Sequence, residues 1–409
     1  MKKLIALVLA VVMAFALVAC NGSDDTGSTG STAGVAKDKI KVGFIFLHDD
    51  KSTYDKNFMD AAKAAQKKLG LSDDQVIYKV GVEEGKACYD AAADLVDQKC
   101  NVIFADSFGH EEWMIKAAKE FPNVQFCHAT GVKAHTEKLP NFHNAFASIY
   151  EGRYLAGVAA GMKLNEMIKS GKITADKAVI GYVGAFPYAE VISGYTSFFL
   201  GARSVCESVT MKVDFTSSWY SVDDERDKAN ALMESGCVLI SQHADSMGAP
   251  SACEAKGVPN VAYNGSTVDE CPNTFIVSSR IDWTPYFVYM INCVIDGKAI
   301  DADWTGTLAT GSVVLTDINE KAAAEGTQAK IDEVKKQLED GSLKVFDTSK
   351  FTVGGKTLDS YLADVDDMGD YVGETEAVKD GYFHESEYRS APYFNVEIDG
   401  ITRLDKAEK

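Results

Sequence analysis

Val42-Gly43-Phe44-Ile45-Phe46-Leu47, then His48-Asp49-Asp50-Lys51-Ser52, then Tyr54–Leu69: this stretch decides how the chain is read. Its first part is a short apolar run of the kind buried on both faces of a parallel sheet. Its second part breaks that run with polar groups that have no place in a core. In the third part the period changes to that of a helix, with Phe58, Ala61, Ala62, Ala65 and Leu69 on one stripe and Gly70 as the stop. A strand feeding a polar loop and a helix puts the loop at the carboxyl end of the strand, where open α/β sheets bind their ligands.

The same alternation continues outward from that stretch. Strand-like runs at Val76–Val80, Val102–Ala105 and Val124–Cys127 are separated by helical patterns at Lys86–Gln98 and Glu111–Phe121. This predicts an α/β fold with a mostly parallel sheet covered by helices. After the extended run Phe142–Ile149 comes a helix, Tyr150–Met167, whose small residues Gly157, Ala160 and Gly161 suit a close packing site. Then the pattern restarts. Val179-Ile180-Gly181-Tyr182-Val183 echoes Lys41-Val42-Gly43-Phe44-Ile45, Leu232–Ile240 echoes Leu95–Phe104, and Asp245-Ser246-Met247-Gly248 echoes Asp106-Ser107-Phe108-Gly109, at offsets of 138, 137 and 139 residues. Three echoes at nearly one spacing predict two similar lobes in tandem, although ordinary strand–helix units also resemble one another. Thr274–Ser278 is expected to cross back to the first lobe, with a helix at Trp283–Ile295 packing there. An acidic tail follows, with a helix near Ala322–Leu338.

The amino terminus gives an address. Lys2-Lys3 and the apolar run Leu4–Val18 form a secretory signal too short to be a spanning helix. Leu17-Val18-Ala19-Cys20 is similar to a bacterial lipobox, which would make Cys20 the lipid anchor; a plain signal peptide with a fortuitous cysteine is the other reading. Asn21–Gly34 has the composition of a flexible tether. The expected divisions are a signal peptide at 1–19, a lipidated tether at 20–38, a first lobe from 39–147 with 279–310, a second lobe at 148–278, and an acidic extension at 311–409.

With 409 residues, 46% hydrophobic and 25% charged, the chain can bury two cores. Its net charge of −19 and lack of a basic run argue against nucleic acid. Of the nine cysteines, Cys100, Cys127 and Cys237 lie in apolar runs and read as small hydrophobes. The exported context leaves disulfides open to Cys88, Cys206, Cys253, Cys271 and Cys293, but a chain this large does not need staples, and mostly free thiols are expected. Neither a nucleophile elbow, a zinc motif, a Walker A sequence nor a dinucleotide fingerprint is found, so neither catalysis, a metal nor a cofactor is expected. Asp49-Asp50 could pair as carboxylates, but adjacent acids in a loop are more often a solvated turn.

Recognition is better supported. A cleft for a flat polar ligand needs aromatic faces and a few directed hydrogen bonds. Tyr54, Phe58, Phe108, Phe186, Tyr188 and Trp219 fall at the cleft edges, and Asp49, Ser52, Asn57, Ser107, Gln242, Asp245 and Asn264 are the polar candidates. Phe58 lies on the apolar stripe of its own helix and is equally readable as core.

Asp49-Asp50-Lys51-Ser52…Phe58, Glu151-Gly152-Arg153-Tyr154-Leu155-Ala156-Gly157, Ser217-Ser218-Trp219-Tyr220 and Gln242-His243-Ala244-Asp245-Ser246, together with the lipobox, resemble the basic membrane protein family across about Ile40–Gly311. The resemblance implies a substrate-binding lipoprotein of an ABC importer, with a type I periplasmic-binding-protein fold whose two lobes close about a hinge. It implies purine nucleosides or nucleobases as cargo, and an ABC permease with its ATPase as partners, in a monomer that meets the membrane only through its lipid. Asp49 and Phe58 would match the family's first-strand aspartate and one purine-stacking ring, and Trp219 the ring on the other face. Asn264 stands where the family's nucleoside receptors place a ribose-binding aspartate. Ile281 stands where they have a lysine, with Arg280 beside it. These departures favour the purine ring over the sugar. A surface sensor or adhesin of the same fold, or a nucleoside-cleaving enzyme, are the competing classes.

Overall fold

The computed structural model describes residues 33–366 and 372–407. The signal sequence and Cys20 lie outside them. β1 (Val42–Phe46) is buried at every position, as a strand covered on both faces must be. Helix α1 (Thr53–Leu69) follows it, capped by the Ser52 side chain, which accepts from the Asp55 amide, and closed by Gly70 in the left-handed region at φ 63°.

The first lobe continues with β2 (Val76–Val80), α2 (Lys86–Asp97), β3 (Val102–Ala105), α3 (Glu111–Glu120), β4 (Gln125–Ala129), the short α4 (Ala134–Glu137) and β5 (Phe142–Ala147). These strands pair in the order β5-β4-β3-β1-β2, all parallel. Helix α5 (Ile149–Lys169) leads into the second lobe: β6 (Val179–Gly184), α6 (Ala189–Val205), β7 (Thr210–Phe215), α7 (Val222–Glu234), β8 (Leu239–His243), α8 (Gly248–Lys256), β9 (Asn260–Tyr263) and β10 (Phe275–Ile281). Its strands run β10-β9-β8-β6-β7, again parallel and in the same sequential order as the first sheet.

The echo between Gly43 and Gly181 has a packing cause. Each sits on an interior strand of its sheet under a leucine of a covering helix. A Cβ at Gly43 would meet Leu95 at 2.8 Å, and one at Gly181 would meet Ile240 at 2.6 Å and Leu232 at 3.0 Å.

One expectation is corrected. Thr274–Ser278 does not cross to the first lobe, because β10 pairs with β9 through Ser278↔Ala262 and Ser279↔Tyr263 and completes the second sheet. The crossing comes after it, at Asp282. Helix α9 (Thr284–Asp296) packs against α1, β11 (Asp303–Gly306) joins β5, and β12 (Val313–Leu315) returns to pair antiparallel with β10. Three crossings therefore lie side by side: Ser148 N donates to the Gly306 carbonyl at 2.8 Å, and Asp282 N to that of Ser312 at 2.7 Å. Short, adjacent crossings of this kind form a hinge.

Beyond them, α10 (Thr327–Glu339) lies on α5, and the tail gathers an aromatic cluster in which Phe346 stacks on Phe394 at 4.2 Å. The strand Ile401–Arg403 adds to the free edge of β7. The eight cysteines among the described residues are buried free thiols. No helix among those residues is long and apolar enough to cross a membrane.

Candidate functional site

The carboxyl ends of the two parallel sheets face each other, and between them lies a narrow cavity, about 370 Å³ counted out to open solvent, lined by Leu47, His48, Tyr54, Ser107, Phe108, Thr130, Glu190, Trp219, His243 and Asp245. Leu47 and His48 follow β1, Ser107 and Phe108 follow β3, and Thr130 follows β4. Glu190 opens α6, Trp219 follows β7, and His243 and Asp245 end and follow β8. Every contribution comes from a strand end or the loop or helix start beyond it, as this sheet topology dictates.

The lobes touch around the cavity. Thr53 N donates to the Asp245 carbonyl at 3.0 Å, the Phe108 and Tyr188 rings lie 5.6 Å apart, and His48 and Tyr220 5.3 Å. Asp245 N in turn donates to the Trp219 carbonyl at 2.9 Å, which ties the aromatic wall to the floor. Phe186 stands one layer back, edge-on to Trp219 at 5.1 Å.

Beneath Tyr54 is a set of buried polar groups. The Tyr54 hydroxyl donates to the Asp106 carbonyl at 2.7 Å, and Leu47 N donates to the Asp106 carboxyl at 3.1 Å. Asp55 accepts from His48 N at 2.7 Å and from the Ser52 hydroxyl at 2.6 Å. Burial works to raise the Asp55 carboxyl, but these bonds, the His48 ring and Asp106 together hold it below the usual range. Asp106 has fewer donors, and burial followed by the neighbouring Asp55 charge pushes it well above that range. Asp245 is likewise raised well above it, by burial first and then by Asp55, Glu225 and Glu190. Burial lowers His243, against the opposing pull of the Glu190 carboxylate 3.3 Å from its Nε2. Burial at the floor thus shifts both Asp245 and His243 toward their uncharged forms, in which each can donate and accept.

Five of the residues singled out in the sequence meet at the cavity: Tyr54, Ser107, Phe108, Trp219 and Asp245. Others are placed elsewhere. Asp49 turns to solvent and accepts from Lys51 N at 3.0 Å; the buried acid nearby is Asp55, in the first turn of α1. Ser52 is the cap of α1. Phe58 is fully buried and stacks on Trp283 with centroids 4.5 Å apart. Asn264 is buried just past β9 at φ 68°, its amide N–H held by the Ser279 carbonyl at 3.0 Å. Ile281 lies in the core, and Arg280 bonds Asn57 at 3.1 Å. The sequence reading missed Leu47, His48, Thr130, Glu190 and His243 as site residues; only His48 and His243, polar groups abutting strand ends, carried a visible signal. Among the described residues the one gathering of possible metal ligands is Asp364, Asp366 and Glu374 on the C-terminal extension.

Residues 40–344 match the family model described as ABC transporter substrate-binding protein PnrA-like. The chain belongs to this PnrA-like family. Its members are solute-binding components of ABC transport, not a class of enzymes; they work outside the cytoplasm, where they bind a small molecule and meet a permease and its ATPase. The PnrA-like chain is 31% identical over 349 residues to a protein of Brucella abortus (strain 2308) named as purine-binding, spanning 81% of this chain and 94% of that one. It is 34% identical over 218 residues to a protein of Haloferax volcanii named as a candidate ABC transporter glucose-binding protein, covering 53% of this chain and 52% of that one. An ABC transporter solute-binding protein of Conexibacter woesei DSM 14684 shares the fold, with a TM-score of 0.59 at 20% identity over 75% of this chain and 98% of that one.

Proposed function

We propose that this PnrA-like protein captures a purine nucleoside or purine nucleobase in the interlobe cavity and presents it to its ABC permease. The observation that carries the reading is the pairing of aromatic rings from opposite lobes, Phe108 and Trp219, around a floor of Asp245 and His243. A purine offers two π-faces to such rings and an edge that mixes donors and acceptors to such a floor. The relative named as purine-binding, matched along nearly its whole length, supports the same reading. Neither Phe58 nor Asp49 is one of the ligand contacts in it; Asp55, buried in the first turn of α1, holds the loop from beneath. Cys20 as lipid anchor and a monomeric state complete the proposal. Closure about the three crossings would follow from tighter contact with the ligand in the closed form.

Calorimetric titration of the protein, unfolded and refolded to strip it of ligand, tests this. Adenosine, guanosine, inosine, the corresponding bases and glucose are the titrants. Binding of one or more purines, abolished in a folded Trp219→Ala variant, is the expected result. Heat from glucose alone would replace the purine with a sugar.

A further inference from the structure

Glu225 is fully buried in the first turn of α7, and its carboxyl group reaches two backbone amides outside the helix. Ser246 N donates to its two oxygens at 3.1 and 3.2 Å, and Ser221 N donates to one of them at 3.2 Å. Both amides adjoin residues of the cavity wall, since Ser221 follows Trp219 by two places and Ser246 follows Asp245 directly. Gly248 permits the close approach: a Cβ there would stand 2.3 Å from the Val222 carbonyl oxygen and 2.9 Å from the Glu225 Cβ. The peptide group between Asp245 and Ser246 is bonded at both ends. Its N–H donates to Glu225, and its carbonyl accepts from Thr53 N of the first lobe at 3.0 Å, where α1 begins. One peptide thus lies between a buried carboxyl group of the second lobe and the first amide of a helix in the other.

Taking the closure set out above as the working cycle, and whichever ligand drives it, we propose that Glu225 is a proton-sensitive positioning residue. Its charged form strengthens, through the Asp245–Ser246 peptide, the contact between the lobes, and protonation loosens that contact and the ligand with it. A carboxylate accepting from a peptide N–H polarises the peptide, and its carbonyl becomes the better acceptor for Thr53. The converse also holds. Donation by Thr53 makes the Ser246 N–H a better donor, so the closed form favours the charged carboxylate more than the open form does. Protons therefore bind more readily to the open form. Closure is strongest above the pKa of Glu225 and is lost as pH falls through it. That window lies near neutrality, because burial pushes the carboxyl up to about 7 against the amide bonds that pull it down. The titratable groups facing it do not supply a counter-charge. They are Asp245 on the adjoining loop and Tyr220 before α7, while Asp224 is taken by the Ser221 hydroxyl. Arg226, next on the helix, is turned to Asp223 at 2.6 Å.

The test titrates the unaltered chain and Glu225→Gln with adenosine, guanosine and their bases at pH 8 and pH 5.5, after thermal melts confirm folding at both. Asp245 titrates in both proteins, so their difference isolates Glu225. The expected result is an affinity that falls about fivefold in acid for the unaltered chain, the difference between a charge-assisted and a neutral hydrogen bond. Glu225→Gln should bind at the weaker level at both pH values. Equal pH dependence in the two proteins overturns the proposal and leaves the purine reading standing. A second measurement needs no variant: the Ser246 and Thr53 amide resonances of the unaltered chain, labelled with 15N-serine and 15N-threonine, are followed from pH 8 to pH 5.5 with and without the purines. The two amides should move with one midpoint near pH 7, and Ser246 moving alone in every state overturns the relay even if Glu225→Gln does not fold. If no purine binds, the purine reading falls, and the amides of the free protein decide the relay by themselves.

Discussion

The guanidinium of Arg153 lies 3.6 Å from the centre of the Tyr263 ring, fully buried under the floor of the cavity. It reaches there from the first turns of α5, donates to the Tyr182 hydroxyl, and donates to the Gln242 carbonyl at 3.1 Å. One side chain thus ties together β6, β8 and β9, of which β8 ends in His243 and leads to Asp245. A desolvated cation–π contact contributes about 2 kcal/mol, and a buried polar group left without its partner costs about 1–3 kcal/mol. Releasing the buried charge offsets part of that. Arg153→Ala should therefore lose about 3 kcal/mol of stability in urea unfolding. Arg153→Lys should recover less than half of it, because an ammonium has no plane to lay on the ring. A loss below about 1 kcal/mol in the alanine variant would mean that the contact only fills space.

Phe58 and Trp219 separate packing from recognition. Phe58 is enclosed by Trp283, Tyr54 and Phe104, whereas Trp219 is half-buried on the cavity wall. Phe58→Ala should cost about 3–5 kcal/mol of stability. Trp219→Ala should cost little stability and remove ligand binding. The measurement is a pair of denaturation curves beside a pair of titrations; a stable Phe58→Ala protein that no longer binds would return that ring to the site.

His128 gives stability a pH dependence of known sign. Its Nε2 donates to the Ser107 carbonyl at 2.6 Å, and burial pushes the ring down to about 3. The unfolded chain takes up a proton near pH 6.5 that the folded chain refuses, so this group's contribution is present above 6.5 and is lost as pH falls toward 3. From pH 7 to pH 5 the unaltered protein should lose about 2 kcal/mol more than His128→Gln, whose amide can still donate to Ser107. Urea midpoints at the two pH values decide it, and parallel losses would show that His128 carries its charge inside the fold.

What the sequence disclosed, and what it hid, follows from the range of the interactions involved. Gly43 and Gly181 announced the two lobes because each answers the same packing demand, a leucine of a covering helix, Leu95 or Leu232, pressing on an interior strand. Trp219 was legible because a large ring in a polar turn has no core to enter. Phe58 was not, since a stripe of apolar residues looks the same whether its last layer is a ligand or Trp283. Asp49 and Asp55 exchange roles through side-chain direction alone: the cap at Ser52 turns Asp55 inward and leaves Asp49 in water. Glu190 and Thr130 become site residues only when the lobes meet.

Gly157 and Gly201 set how closely α5 and α6 approach. A Cβ at Gly157 would stand 2.0 Å from the Phe198 carbonyl oxygen, and one at Gly201 2.0 Å from that of Tyr154. Both obstacles are backbone, so a rotamer change cannot relieve them. Within a helix, alanine is favoured over glycine by about 1 kcal/mol, and a surface glycine here would be improved by the exchange. In this interface the overlap wins: Gly157→Ala should destabilise by about 3 kcal/mol or more, because the helices must separate to admit the methyl group. The separation also has a functional consequence. Helix α5 leaves the hinge at Ser148 and carries Arg153 beneath the floor, one turn before Gly157. Moving it withdraws the guanidinium from Tyr263, so ligand affinity should fall in the same variant although Gly157 is not on the cavity wall. Unfolding curves and titrations on Gly157→Ala and Gly201→Ala check both effects, and a variant that loses stability while binding at full strength would sever the helix interface from the site.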